Sequence, residues 1–328
     1  MQEITKKNSR VWSRLGQRGT VCGVALLEIL ESMENAYVLT ADLGHTSGLD
    51  RVMQKFPQRF INVGISEQNL VGTAAGLALD GGVAFATTFA TFLTMRSYEQ
   101  IRHNAGYQEA NVKLIGTSAG FAIGMFGNTH YSYEDIALMR VIPNMVVVSP
   151  ADATEAYLAI HQAAVYQGPV YIRLSDGLNT AIVHSESYAF EIGKAELLNQ
   201  GKDIAIIAVG GVVHEAINAV EKLQALGINP TLINMHTIKP LDEAMLYELR
   251  DYRALITVEE HSIIGGLGSA VAEYMMGISH TTQLFRIGIQ DKFVHPGEQG
   301  YVKSSNGLDA EGIYAYVKRV AESFGSDA

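Results

Sequence analysis

The segment Arg59-Phe60-Ile61-Asn62-Val63-Gly64-Ile65-Ser66-Glu67-Gln68-Asn69 carries the residues of this chain best suited to chemistry. A short apolar run reaches a glycine, and the carboxylate of Glu67 opens the Gly/Ala-rich stretch that follows. Farther on, Thr88-Phe89-Ala90-Thr91-Phe92 supplies two rings three positions apart. A carboxylate that closes a strand and opens a helix, with two rings nearby, suits a flat heteroaromatic ligand needing one proton donor. Each feature alone has a plainer reading. Ser66 can be a helix cap with Glu67 favoured by the helix dipole, and Phe89 and Phe92 can be one face of a core helix. Their order and spacing together favour a site.

Such a site must be held by elements that bring strand ends and helix starts together. Short β-branched runs alternate along the chain with longer Ala/Leu-rich periodic ones, the pattern of a parallel sheet covered by helices. The expected strands are Ala36 to Thr40, Phe60 to Val63, Val83 to Ala86, Val112 to Thr117, Met145 to Ser149 and Val170 to Leu174. After Leu174 the periodicity fades, and Asp176-Gly177-Leu178-Asn179 are turn residues. A second alternating block starts at Asp203, with a strand to Val209, a helix from Val213 to Leu226, and strands at Thr231 to Met235 and Ala254 to Glu259. The fold class is therefore α/β with two domains: residues 1–180, a linker at 181–195, and residues 196–328. Gly210-Gly211 lacks the spacing of a nucleotide loop and suits tight strand-to-helix packing. Gly265-Gly266-Leu267-Gly268 could cradle an anion at a helix start.

Composition narrows the classes of function. The 328 residues are 48% hydrophobic and 18% charged, ordinary for a globular protein. A formal net charge of −10 argues against a nucleic-acid surface, which needs clustered cations. Lys6, Lys7, Arg10, Arg14 and Arg18 form a small basic cluster that suits a solvated or partner-facing helix. No run is long and apolar enough to predict a membrane span, and no secretory leader is recognised. The single cysteine, Cys22, excludes an internal disulfide and fits a reducing compartment, so a cytoplasmic location is expected.

Residues 59–104 resemble the pyrimidine-binding domain of transketolases. The likeness extends through Gly127-Asn128-Thr129-His130, Val141-Ile142-Pro143-Asn144-Met145 and Ser149-Pro150-Ala151-Asp152. Thr237-Ile238-Lys239-Pro240-Leu241-Asp242 and Glu259-Glu260-His261-Ser262-Ile263-Ile264-Gly265-Gly266-Leu267-Gly268 resemble the C-terminal domain of the same family. The broader kinship includes deoxyxylulose-phosphate synthase and the beta subunits of 2-oxo acid dehydrogenases. The resemblance implies a parallel-sheet pyrimidine-binding domain followed by a transketolase C-terminal-like α/β domain, with thiamine diphosphate as cofactor. Glu67 would be the acid that hydrogen-bonds the pyrimidine nitrogen, a task that needs a shared or retained proton and is helped by apolar neighbours. Phe89 and Phe92 would enclose the pyrimidine, and Asp42 and Leu43 would lie near the bend of the cofactor, with ordinary core an alternative for Leu43. Met95 and Tyr98 fall where relatives place another aromatic, with the register slipped by one residue. His130 matches a family histidine that contacts the donor hydroxyl, and imidazole suits proton transfer near neutrality.

The same resemblance makes certain absences informative. The family's Gly-Asp-Gly with a following Asn, which holds a divalent metal and the diphosphate, does not occur, and Ser175-Asp176-Gly177 does not replace it. The chain is thus expected to be one subunit of a split enzyme, holding no metal itself. An N-terminal-half transketolase subunit would bind the diphosphate through Mg or Ca, and the resemblance implies two copies of each chain. Three positions bear on the sugar substrates. Ser118 and Phe126 stand where polar family residues are usual, and Asp176 stands where many relatives have an arginine that grips sugar phosphate. An aspartate there should repel a phosphorylated tail, so an atypical acceptor, less polar or unphosphorylated, is expected. Arg18, His45, Thr46 and Arg173 lie near family substrate segments and could compensate.

The leading reading is transfer of a two-carbon ketol unit from a ketose to an aldehyde. Two alternatives stand beside it. One is decarboxylation of a 2-oxo acid followed by carboligation, like the synthase or the dehydrogenase beta subunit. The other is a non-catalytic regulatory subunit, against which the retention of Glu67 and both phenylalanines argues.

Overall fold

In the computed structural model, which describes residues 2–175 and 177–325, the chain forms two sheets covered by helices. The first half supplies β1 Ala36–Thr40, β2 Phe60–Asn62, β3 Val83–Phe89, β4 Val112–Thr117, β5 Val146–Val148 and β6 Val170–Arg173. The second supplies β7 Glu196–Asn199, β8 Ile204–Val209, β9 Thr231–Asn234, β10 Thr237–Lys239, β11 Ala254–Ser262 and β12 Gln283–Ile289. The larger sheet runs β10-β5-β6-β4-β3-β1-β2 and the smaller β12-β11-β8-β9-β7. All pairings are parallel except two at sheet edges, β10 with β5 and β7 with β9.

Parallel strands are covered by helices on both faces, so they read as continuous apolar runs. That is why β4 and β8, buried along their whole length, were predictable from sequence. The three unexpected strands lack such runs. β7 is a partly exposed edge, β10 has three residues, and β12 begins exposed and becomes buried only at Ile287.

β10 also joins the two halves. It comes from the second half of the sequence yet pairs with Val147 and Val148 of β5. One apolar core follows it across, from Leu70, Ala74 and Met139 to Ile233, Met235 and Ile238.

The glycine run at Gly265 to Gly268 does form an anion cradle, but the chain fills it. The Leu267 and Gly268 amides donate to the Glu259 carboxylate at 2.7 and 2.8 Å. A Cβ on Gly266 would lie 2.0 Å from a Glu259 oxygen, so only glycine fits. Gly210 likewise serves packing, with a left-handed φ of 69° and a Cβ position 2.7 Å from Ser149 Oγ.

Between β6 and β7 the described residues form no helix or strand, and His184 ties this segment to both halves. Its Nε2 lies 2.6 Å from Glu196 Oε2, and its backbone N–H donates to Asp152 at 2.6 Å. Tyr188 stacks on the ring with centroids 4.4 Å apart and donates its hydroxyl to Glu155. Burial alone would lower the His184 pKa, but hydrogen bonds to Asp152 and Glu196, with the charge of Glu155, push it up to about 10. Removing one member of a buried ion pair costs about 3–5 kcal/mol, and His184→Ala is expected to cost that much in denaturant unfolding at pH 7. Because the folded pKa lies above the ordinary 6.5, this stabilisation is complete below pH 6.5 and is lost as pH rises through about 10. The gap between wild type and variant should therefore close at high pH.

Candidate active site

The predicted site residues within the described chain lie beyond the carboxyl ends of the parallel strands of the first sheet. Asp42 and Leu43 follow β1, Glu67 follows β2, Phe89 closes β3 with Phe92 just after it, and Ser118 follows β4. The chain leaves β1 for its outer neighbour β2, but leaves β3 for β4 on the opposite side. Such a reversal opens a crevice at the strand ends, where ligands bind in open α/β sheets.

Glu67 is the first residue of the helix Glu67–Leu79 and is 7% exposed. Ser66 occupies the cap position without a side-chain capping bond, so capping does not account for this turn. The helix is built from small residues, Ala74, Ala75 and Ala78, with Leu70 and Val71, which lets it pack closely on β3. The loop before it is fixed from β1. Asn62 accepts from the Asp42 and Gly64 backbone N–H groups, each at 3.0 Å, and donates to the Asp42 carboxylate at 3.1 Å.

The rings converge on the same side. Phe89 and Phe92 lie 5.7 Å apart, and the His130 ring lies 6.3 and 5.2 Å from them. Phe126 packs on His130 at 4.9 Å and is 65% exposed, so it borders the mouth of the crevice. Arg96, which sequence reasoning missed, connects the rings to the acid. Its guanidinium lies 3.7 Å above the Phe92 ring and donates to Glu67 Oε1 at 3.2 Å. Phe92 and Arg96 are four positions apart in a π-helical turn, Phe92–Arg96. A π-turn accommodates one extra residue in a helix; Met95 lies within this one and Tyr98 follows it.

His130 Nδ1 lies 2.9 Å from Thr129 Oγ1, and that hydroxyl can donate to Phe126 O at 3.3 Å. With the hydroxyl proton so used, Thr129 accepts from Nδ1–H and leaves Nε2 with a free lone pair. A nitrogen in that state can take a proton from a hydroxyl.

A nearly buried carboxyl, joined through Arg96 to the Phe92 ring, with Phe89 beside that ring, suits a flat ring with a basic nitrogen. Glu67, Phe89 and Phe92 therefore fit the pyrimidine end of thiamine diphosphate.

Two family descriptions match this chain: the transketolase pyrimidine-binding domain over residues 18–180 and the transketolase C-terminal domain over residues 193–313. A putative transketolase C-terminal section from Methanocaldococcus jannaschii is 42% identical over 301 residues, covering 92% of this chain and 94% of that protein. The chain belongs to the transketolase family. A 6-deoxy-6-sulfo-D-fructose transketolase subunit from a Clostridium species is 39% identical, covering 90% of this chain and 92% of that one. A solved structure described as a split gene transketolase, an inactive β4 tetramer, is 39% identical with a TM-score of 0.84, covering 93% and 97% of the two chains. The protein is thus a transferase subunit of the split transketolase type, in a family that depends on thiamine diphosphate.

Other expected residues of this transketolase subunit fare differently. Thr46 is exposed in the short helix Gly44–Ser47, close in sequence to Asp42. Ser118 is 2% exposed and left-handed, with φ 56°, so it shapes the strand end from within. Asp42, at φ 60°, adopts the same unusual conformation at the end of β1; such backbone costs about 1–3 kcal/mol and clusters at functional sites. Asp176 lies outside the described residues. Arg173 does not reach a substrate: it is 2% exposed and bonds Asp135 at 2.8 Å and the Ser132 and Glu260 carbonyls at 3.0 and 2.9 Å. Buried and paired with Asp135, it is not placed to compensate for Asp176.

Proposed function

We propose that this subunit, joined to an N-terminal-half transketolase subunit, transfers a two-carbon ketol unit from a ketose donor to an unphosphorylated aldehyde. The convergence of Glu67, Phe89, Phe92 and His130 on one crevice supports this reading most strongly. When bound, thiamine diphosphate supplies the nucleophilic carbon that carries the two-carbon unit. Glu67 would hold the pyrimidine nitrogen through a shared proton, and Arg96 would give up its contact with the carboxylate to make room. Phe89 and Phe92 would enclose the ring and exclude water. His130 would take the proton of the donor hydroxyl at Nε2.

Asp42 and Leu43 would line the bend of the cofactor. The partner would hold the diphosphate with Mg or Ca, and the assembly would contain two copies of each chain in a cytoplasmic enzyme. The pyrimidine-binding domain would span residues 1–180 and the C-terminal domain residues 196–328, with 181–195 as the linker.

Ser118, Phe126, Thr46 and Asp176 would set the acceptor. An aspartate at the position of a sugar-phosphate arginine disfavours a phosphate tail, and the exposed Phe126, where an acidic residue is usual, makes the entrance less polar. Losing a hydrogen bond to a charged group costs about 1.5–3 kcal/mol, or about ten- to a hundredfold in kcat/KM. With the reconstituted pair, matched phosphorylated and unphosphorylated aldehydes should differ by that factor in favour of the latter. A preference for the phosphorylated member would refute the acceptor assignment, and release of CO2 from a 2-oxo acid without ketol transfer would refute the reaction.

A further inference from the structure

We propose that Asn128 and Tyr133 are positioning residues for His130, anchored by the loop Val294 to Gly297 of the C-terminal half. This rests on His130 acting on the donor, as above, and assigns the C-terminal half a part in the reaction geometry.

The His130 loop is held from behind. Asn128 Nδ2 donates to Val294 O at 2.8 Å, and Tyr133 donates its hydroxyl to Asn128 Oδ1 at 2.9 Å. The amide of Asn128 thus has both ends committed, one to the C-terminal half and one to the next turn of its own half. The Gly297 N–H donates to Gly124 O at 3.2 Å, and that carbonyl also accepts from the Tyr131 hydroxyl at 2.6 Å. The two loops touch so closely that a Cβ on Gly124 would lie 2.3 Å from Gly297 O. Gly127, with φ 68°, turns the chain against Pro296, whose Cβ would be 3.3 Å from an added side chain.

From this anchored turn the chain sends His130 the other way. The His130 and Tyr131 N–H groups both donate to Gly127 O, at 2.9 and 3.0 Å, which fixes the backbone on either side of the ring. The ring itself meets Phe92 and Phe126, flat surfaces that resist tilting but allow sliding. What fixes the ring along those surfaces is the Thr129 hydroxyl at Nδ1 together with the backbone, and the turn that carries both is held against Val294 to Gly297. A displacement of about 1 Å in a reacting group can cost about a hundredfold.

The test uses the reconstituted holoenzyme with His130→Ala, Asn128→Ala, Tyr133→Phe and the double variant Asn128→Ala/His130→Ala. Asn128→Ala should lower kcat about ten- to a hundredfold with KM and cofactor affinity little changed, and Tyr133→Phe should do so more weakly. In the His130→Ala background, Asn128→Ala should cost nothing further, because the group it positions is gone. Undiminished kcat in both Asn128→Ala and Tyr133→Phe, or equal losses from Asn128→Ala in both backgrounds, would overturn the positioning assignment while leaving His130 in place. Full activity in His130→Ala would instead overturn the donor reading on which it rests. Tyr133→Phe removes only one oxygen, so it carries the test if Asn128→Ala fails to assemble.

Discussion

Glu67→Ala in the reconstituted pair is expected to lower kcat by about 10²–10⁴-fold, the usual contribution of a positioned proton donor. The substitution removes the carboxyl that opens the helix Glu67–Leu79 and is bonded by Arg96. It should leave the fold intact, because the helix keeps its buried face of Leu70, Val71, Ala74 and Ala75. Arg96 would lose its partner but keep its stacking on Phe92. Glu67→Gln preserves shape and a hydrogen bond but offers no acidic proton, so its kcat should fall nearly as far. Steady-state kinetics with saturating cofactor separate this from weaker binding. A variant with unchanged kcat would make this chain a bystander.

The second large effect concerns the partner. Neither Gly-Asp-Gly nor its spaced Asn occurs in the sequence, so on the proposed reading the diphosphate needs a metal held by the partner to neutralise it. Alone, the protein should fold but show turnover no higher than background and no saturable cofactor binding at micromolar levels. Titration with the N-terminal-half subunit should restore activity and reach a plateau at one partner per chain. Equilibrium dialysis with thiamine diphosphate and Mg, run with and without partner, measures this directly. Tight binding by the isolated chain would show that the split of labour is drawn in the wrong place.

Much of this was readable from residues because parallel sheets write themselves plainly. β1, β3, β4, β6 and β8 are short, nearly all-buried and largely apolar runs, and Asp42 and Phe89 stand at the ends of β1 and β3, while Glu67 follows the shorter, less buried β2. What escaped detection depends on long-range contact. β10 has three residues and exists because β5 offers an edge for it. Arg96 looked like any exposed cation until the wide turn placed it over Phe92 and against Glu67. Its spacing of four from Phe92 was the available signal, but that spacing is common in helices. Arg173 illustrates the opposite error, since a cation near a substrate segment was expected to serve the substrate. The sequence holds no local sign that Asp135, 38 positions away, takes its guanidinium into the core.

Asn128 and Tyr133 were invisible for a related reason. Their meaning comes from Val294, more than 150 residues along the chain, and from the close approach that Gly124 and Gly297 permit. Joining the halves through β10, His184 and this loop makes the C-terminal half part of the frame that holds the crevice.

The most direct test follows the loss of the proton at the reactive carbon of thiamine diphosphate in the reconstituted pair, by quenched-flow hydrogen–deuterium exchange read by NMR. With wild-type protein this exchange should be far faster than for free cofactor, and with Glu67→Ala it should slow by about 10²-fold or more while the cofactor stays bound. Equal exchange rates in the two proteins would contradict the assignment of Glu67 as the acid that prepares the cofactor.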